Sequence, residues 1–139
     1  MKVSELCERH VVTVEPETPV TEAARRMVAL GVGSLVVLQH GRICGIITDR
    51  DIVARGVRQE RDVRQLAVSD LMTPNPITIE PDADLPRATA LMADKGVRRL
   101  PVADEAGRLV GVLALDDVVI LLGDEMANLR AAVAAALSR

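Results

Sequence analysis

The chain has 139 residues, of which 49% are hydrophobic and 27% charged, a balance typical of a folded domain with a real core. The formal net charge is −3 and Lys and Arg are scattered, which argues against a nucleic-acid surface. The sequence contains no Phe, Tyr or Trp, so the aromatic stacking platforms of single-strand binding modules are excluded.

Two further classes of protein are disfavoured. No apolar run reaches the length of a membrane span, so we expect no membrane association. The first residues lack the apolar core of a secretory signal, and we therefore expect a cytoplasmic protein. The two cysteines do not make a disulfide framework.

In the first half of the chain, apolar patterning predicts a strand, a helix, a hairpin of two strands and a final helix. Pro19 precedes the first helix and Gly31 follows it, as expected of helix boundaries. The predicted bounds are residues 11–14 for the strand, 20–30 for the helix, 35–38 and 43–47 for the hairpin, and about 49–55 for the final helix.

The second half repeats the first. A shift of 65 residues aligns Gly31 with Gly96, and after one inserted residue a shift of 66 aligns Asp51 with Asp117. Each half, of roughly 60 residues, would be marginal alone. We therefore predict an α+β fold in which two β-α-β-β-α repeats pack face to face about a pseudo-two-fold axis. Two related clefts are expected near the strand-to-helix junctions.

The repeats suggest a domain organisation. Repeat 1 is assigned to residues 1–60 and repeat 2 to residues 68–123, with a charged linker at 56–67. Residues 124–139 are predicted to form an alanine-rich amphipathic helix, with Met126, Leu129 and Val133 on its apolar face. Because this helix extends beyond the repeats, it is a candidate dimer strap.

The junction between the hairpin and the final helix of repeat 1 contains a candidate site. Thr48, followed three residues later by Asp51, has the form of a capping box. A helix N-terminus also presents amide donors and a partial positive charge, which can hold a phosphate or a ribose diol. These residues alone leave both hypotheses open.

The chain resembles a tandem CBS-domain pair, the regulatory module named after cystathionine β-synthase. The motifs that carry the resemblance are Gly-Ile-Ile-Thr-Asp-Arg-Asp-Ile at 45–52, Val-Ser-Asp-Leu-Met-Thr-Pro at 68–74 and Gly-Val-Arg-Arg-Leu-Pro-Val at 96–102. The resemblance covers about residues 2–122. It implies a stand-alone regulatory module without catalysis or an obligatory cofactor. CBS pairs commonly associate through their helices, so we expect a homodimer.

The resemblance implies that the clefts bind an adenosyl ligand, such as AMP, ADP, ATP or S-adenosylmethionine, and signal occupancy to a partner protein. The alternative is a ligand-independent interaction or scaffold protein with degenerate clefts. An enzyme is disfavoured because no Ser/His/Asp or Cys/His arrangement is evident.

The resemblance also implies roles for individual residues. Asp51 would take the ribose hydroxyls, and Thr48 would lie near ribose or phosphate. The expected phosphate contacts are Arg98 and Arg99, and the adenine slot would be lined by Val12, Thr13 and Ile47. Arg50 is included in the site, although it could simply point to solvent.

The second copy departs from the motif. Ala114 stands where Thr48 stands in the first copy, and Gly33 and Ser34 replace the basic pair. We therefore predict unequal clefts, with Asp117 in a weak or empty one.

Two cysteines and two histidines of repeat 1, Cys7, His10, His40 and Cys44, could in principle form a zinc set. Cys44 aligns with Val110 in an apolar strand, which favours a buried hydrophobic role. We therefore predict no metal or redox function.

Overall fold

The computed structural model describes residues 1–138, in which short helices alternate with short strands. The helices are α1 (Val3–Leu6), α2 (Val20–Leu30), α3 (Asp49–Asp51, continued by a π-helical stretch, Ile52–Val57), α4 (Val68–Leu71), α5 (Leu85–Lys95) and α6 (Leu115–Leu137). The strands are β1 (Thr13–Val14), β2 (Ser34–Gln39), β3 (Arg42–Thr48), β4 (Thr73–Pro74), β5 (Arg99–Ala103) and β6 (Leu109–Ala114).

Helices α2 and α5 have the bounds that the sequence predicts. Both end at a glycine with φ of 64°, Gly31 and Gly96, a left-handed conformation that glycine adopts without steric cost. At the start of α5 the Asp84 carboxylate accepts a hydrogen bond from the Arg87 amide at 2.9 Å. These local signals fix the two long helices of the repeats in equivalent positions.

The strands form one four-stranded sheet, in the order β1-β2-β3-β4, and one hairpin, β5-β6. In the sheet β1 runs parallel to β2, whereas the β2-β3 and β3-β4 pairs are antiparallel. The two predicted first strands are shorter than expected. Strand β1 has two residues, and its counterpart is reduced to one parallel bridge between Ile79 and Val102.

The two repeats exchange their N-terminal segments. Thr73, which belongs to repeat 2 in sequence, pairs with Ile46 of β3, and Glu8 pairs with Val112 of β6. Shifts of 65 and 66 residues convert Glu8 into Thr73 and Ile46 into Val112, so the two exchanges are equivalent. This reciprocity is what a pseudo-two-fold relation between the repeats requires.

The buried side chains form two cores, and each core contains residues of both repeats. The first core combines the β2-β3 hairpin and α2 with Val68 and Leu71 of α4. The second combines α5 and the β5-β6 hairpin with Val3 and Cys7 of the N-terminal segment. The α+β class is thus confirmed, and the boundaries at 1–60 and 68–123 describe the duplication rather than the packing units.

The segment at 56–67, predicted to be a linker, is packed against the rest of the protein. Gly56 is buried, and a Cβ placed on it would lie 3.0 Å from Val63 Cγ1. The Val20 amide donates to the Leu66 carbonyl at 2.9 Å, which ties the segment to the first helix. Two of its apolar residues, Val63 and Leu66, pack against the first core and hold the segment there, whereas Val57 is exposed.

Helix α6 is continuous from Leu115 to Leu137, so the final helix of repeat 2 and the helix predicted at 124–139 are one element, which ends at Leu137; Arg139 lies outside the described residues. Gly123 does not interrupt it, since a single glycine costs a helix only about 1 kcal/mol. Within residues 1–138, no helix is both long and apolar enough to cross a membrane.

Candidate functional site

The candidate site begins at the junction of β3 and α3. The Asp51 amide donates to Thr48 Oγ1 at 3.1 Å, and the Thr48 amide donates to Asp51 Oδ2 at 2.9 Å. These reciprocal bonds form the predicted capping box. The box holds both side chains in fixed positions, which leaves the Thr48 hydroxyl proton and the second carboxylate oxygen of Asp51 available to a ligand.

Asp51 is connected to the exchanged segment through Arg55. The Arg55 Nε lies 3.8 Å from Asp51 Oδ1, and the Asp51 side chain is only 16% exposed. The same guanidinium donates to the carbonyls of Leu71 and Met72 at 3.3 and 3.2 Å. Arg55 therefore joins the site to the C-terminal end of α4.

The backbone amides at the start of α3 are already committed to acceptors within the protein. The Asp49 amide donates to the Gly33 carbonyl at 3.0 Å, and the Arg50 amide donates to Asp49 Oδ1 at 2.8 Å. The Asp51 amide is bound to Thr48 Oγ1. The expectation that this helix N-terminus offers free amides to a phosphate is therefore wrong, and side chains must supply any phosphate contact.

A cleft of about 760 Å³ opens beside the capping box, between the two repeats. Its polar wall brings together five of the predicted site residues, Thr48, Arg50, Asp51, Arg98 and Arg99. The remaining walls are largely apolar or uncharged and include Ile46, Thr73, Asn75, Pro76, Ile77 and Pro101.

The two arginines from repeat 2 have different surroundings. Arg98 forms an exposed ion pair with Asp116, with Nη2 2.8 Å from Oδ1. A Cβ placed on Gly33 would lie 3.4 Å from Arg99 Nη2 and 3.3 Å from Asp49 Oδ2, so these two groups approach the same glycine. The absence of a side chain at Gly33 gives the Arg99 guanidinium room at the cleft.

The three residues predicted to line an adenine slot lie away from the Asp51 cleft. The prediction that Ile47 lines it is wrong, because the Ile47 side chain is fully buried in the first core. Val12 packs against the same core, and Thr13 lines a separate depression of about 880 Å³ near the β2-β3 turn. None of the three is among the residues that line the Asp51 cleft.

The residues that replace them come from repeat 2. A shift of 65 residues converts Val12 into Ile77, so the expected type of residue is present but belongs to the other repeat. The exchange of N-terminal segments places residues 73–75 beside the middle of β3, where the Asn75 amide donates to the Cys44 carbonyl at 3.0 Å. Asn75 has φ of 46°, which places a turn directly before Pro76 and Ile77.

The Asp117 position is less favourable for a ligand than the Asp51 position. Asp117 is exposed on the first turn of α6, and Ala114 has no side-chain oxygen to complete a capping box. Asp117 lines neither the 760 Å³ cleft nor the 880 Å³ depression. The inequality of the two sites stays a prediction, and these contacts agree with its direction.

The two cysteines lie in different cores. Cys7 is buried with repeat 2, whereas Cys44 is half-buried against repeat 1. Burial raises the pKa of both thiols, and the charge of Arg9 partly opposes this for Cys7. Among residues 1–138 no three His, Cys, Asp or Glu side chains are grouped so as to hold a metal ion, so the zinc set that the sequence leaves open is not assembled.

Comparison with known proteins agrees with the duplication and the fold. The sequence model of the CBS domain matches twice, over residues 3–57 and 68–124. The chain belongs to the CBS-domain family. It is a tandem CBS pair, and CBS pairs are regulatory modules.

Curated relatives include the CBS domain-containing protein YhcV of Bacillus subtilis. It is 38% identical over 118 residues, which cover 85% of this chain and 81% of YhcV. The uncharacterized protein MK0525 of Methanopyrus kandleri is 36% identical over 120 residues, which cover 86% of this chain. The matched region spans only 61% of MK0525.

Solved structures of CBS pairs with bound adenosyl compounds share the fold. The CBS pair of MJ0100, in complex with 5′-methylthioadenosine and S-adenosyl-L-methionine, superposes with a TM-score of 0.82 at 25% identity. CBSX2 in complex with AMP superposes with a TM-score of 0.77 at 27% identity. Each comparison covers 90% of this chain and 98% of the other.

Proposed function

We propose that this CBS pair is a regulatory sensor that binds an adenosyl ligand in the Asp51 cleft and signals occupancy to a partner protein. The candidate ligands are AMP, ADP, ATP and S-adenosylmethionine. The observation that carries the proposal is the meeting of Thr48 and Asp51 from repeat 1 with Arg98 and Arg99 from repeat 2 in one cleft. The cytoplasmic location expected from the sequence stays a prediction.

The ribose would bind at the capping box. A carboxylate can accept two hydrogen bonds from a vicinal diol, and Asp51 Oδ1 has acceptor capacity beyond its contact with Arg55. The Thr48 hydroxyl accepts from the Asp51 amide and can donate its proton to the ligand. Because the cap already orders both side chains, little conformational entropy would be lost on binding.

The adenine ring would lie against the aliphatic walls. Ile77 is 40% exposed, and Ile46 and Pro76 are half-buried, so these residues leave apolar surface for a ring to cover. Burial of apolar area contributes roughly 25 cal/mol per Å² and needs no aromatic partner. The absence of aromatic residues in this chain is therefore compatible with nucleotide binding.

The charges of the cleft favour a ligand with one phosphate, or none, over a triphosphate. Three arginines line it, Arg50, Arg98 and Arg99, together with three carboxylates, Asp49, Asp51 and Asp116. The formal charges cancel, and Arg98 is already paired with Asp116. A triphosphate would place several negative charges near these carboxylates.

Occupancy could be transmitted through Arg55. A ribose bound to Asp51 would compete for the carboxylate oxygen near the Arg55 guanidinium, which also holds the carbonyls of Leu71 and Met72. Those residues lead directly into β4, the strand that repeat 2 contributes to the first sheet. Ligand binding would thus act on the joint between the two repeats.

The test is a thermal-shift panel with adenosine, AMP, 2′-deoxy-AMP, ATP, S-adenosylmethionine and GMP. An extrinsic dye is needed because the chain has no Trp or Tyr. A ligand at 100 times its dissociation constant stabilises the folded state by about 2.7 kcal/mol. We expect AMP to raise the melting temperature and 2′-deoxy-AMP, which lacks one ribose hydroxyl, to do so much less at equal concentration.

The same panel addresses the alternative function. No shift with any adenosyl ligand at millimolar concentration would contradict the proposal and favour a ligand-independent interaction protein. Equal shifts with AMP and 2′-deoxy-AMP would contradict the assignment of the ribose to Asp51.

A further inference from the structure

The second half of α6 extends away from the two cores. Val118 is the last buried residue of the helix, and every described residue from 122 onward is exposed. Most of the stability of a protein helix comes from the packing of its apolar face, and the described residues from 122 onward have no such packing within the single chain. A partner that covers one face of the helix would stabilise it.

Five of the seven large apolar residues that are exposed on α6 follow a heptad pattern, and the other two, Ile120 and Leu137, lie beside it at b and e. Val119, Met126 and Val133 recur every seven residues and occupy the a positions. Leu122, Leu129 and Ala136 lie three residues after these a positions, at d, and Leu115 continues the d series one heptad earlier. From Val119 to Val133 these five seam side chains are each more than half exposed. β-Branched residues at a with leucine at d favour a parallel two-stranded coiled coil.

The charges beside the seam are self-complementary. Glu125 occupies a g position and Arg130 the e position of the next heptad. In a parallel pair, g of one helix lies beside the following e of the other, so Glu125 would face Arg130 of the second copy, twice per dimer. An antiparallel pair would keep these two residues on opposite edges of the seam and form no such contact.

We propose that residues 119–137 of α6 pair with the same segment of a second copy in a parallel two-stranded coiled coil. The sequence predicts a homodimer. This proposal adds the a and d residues through which the two helices pair, the parallel orientation, and the charge pair that favours that orientation. This pairing places the two CBS bodies at the same end of the coiled coil. The proposal does not depend on whether the cleft binds a nucleotide.

The first test is the mass in solution by light scattering. We expect twice the 14.9 kDa of the single chain. Leu129→Asp, in the seam, should weaken dimerisation at least tenfold, whereas Ala131→Asp, on the outer face, should leave the dimer intact. Both sites are exposed in the single chain, so neither substitution threatens the CBS cores. A monomeric wild type at high concentration, or a Leu129→Asp variant that remains dimeric, would overturn the proposal.

The charge pair allows a rescue experiment. Glu125→Arg and Arg130→Glu should each weaken the dimer, because each opposes like charges across the seam. An equimolar mixture of the two variants should recover dimers as heterodimers, in which both contacts are again of opposite sign. Failure of the mixture to exceed either variant alone would contradict the parallel pairing.

Orientation is tested directly with Ala136→Cys, a d position near the end of the helix. In a parallel dimer the two introduced thiols lie side by side and should oxidise to a disulfide-linked dimer, whereas Ala135→Cys, outside the seam, should crosslink much less. The wild type, with Cys7 buried and Cys44 half-buried, is the control for background crosslinking. Equal crosslinking of the two variants would refute the parallel geometry.

Discussion

The exchange of N-terminal segments can be tested at Gly111, where backbone of one repeat lies against backbone of the other. A Cβ placed there would lie 2.5 Å from the Glu8 carbonyl oxygen and 2.9 Å from Cys7 Sγ. Glu8 exchanges two backbone hydrogen bonds with Val112, at 2.9 and 3.0 Å. Gly111→Ala must therefore move the N-terminal segment out of the position that completes the second core.

The equivalent glycine of repeat 1 supplies a matched control. A Cβ on Gly45 would lie 2.5 Å from Met72 Sδ and 3.1 Å from the Thr73 carbonyl oxygen. The closer atom belongs to a flexible methionine side chain, which can change rotamer and relieve most of the clash. The same substitution thus meets a rigid carbonyl at one site and a thioether at the other.

The magnitudes follow from these contacts. Overpacking costs typically 1–3 kcal/mol, and each lost hydrogen bond adds about 1 kcal/mol. We expect Gly111→Ala to lower the free energy of unfolding by about 3 kcal/mol and Gly45→Ala by about 1 kcal/mol. Urea titration followed by far-UV circular dichroism measures both. If Gly111→Ala were as stable as the wild type, or lost no more than Gly45→Ala, the exchanged packing would be refuted.

Three further outcomes follow from the site and its surroundings. Thr48→Ala should lower the free energy of unfolding, measured by urea titration, by about 1 kcal/mol because the helix cap is lost. Ala114→Thr completes the second capping box and should raise the free energy of unfolding by about 1 kcal/mol. A decrease in the second variant would contradict this prediction. Asp116→Asn should tighten AMP binding about two- to fivefold by freeing Arg98, with adenosine unaffected, as calorimetry would show. Iodoacetamide should modify Cys44 faster than Cys7 in the folded protein, because Cys44 is the more exposed thiol. Both rates should continue to rise above the ordinary pKa of a thiol, because the thiolate is the reactive form and burial raises both thiol pKa values. Mass spectrometry showing the reverse order would contradict the burial.

Local patterns predict much of the fold. The apolar periodicity and the glycines at 31 and 96 are sufficient to give α2 and α5 their bounds, because both signals act within a few residues. The strand β4 is not predictable in this way. Thr73 and Pro74 have no strand pattern, and their pairing with β3 depends on the partner repeat. Non-local pairing of this kind leaves no periodic signal.

The parts of the candidate site also differ in whether they depend on local or non-local interactions. Thr48 and Asp51 are recognisable because a cap is a local motif. The roles of Ile46 and Ile47 in β3 cannot be recognised from the sequence. Alternation along a strand buries one of them and exposes the other, and the residue types do not tell which one is buried. The structure buries Ile47 and turns Ile46 to the cleft. The opposite wall, Ile77, could be assigned only once the exchange of segments was known.

The most direct test of the proposed sensor is a calorimetric titration of AMP into three forms of the protein. Asp51→Asn replaces one carboxylate oxygen with an NH2 group, which cannot accept a hydrogen bond from a ribose hydroxyl, whereas Asp117→Asn makes the same change at the aligned, exposed position. We predict one AMP per chain in the wild type, binding weakened at least tenfold by Asp51→Asn, and no change with Asp117→Asn. Two equivalent sites that survive Asp51→Asn and are lost with Asp117→Asn would contradict the assignment.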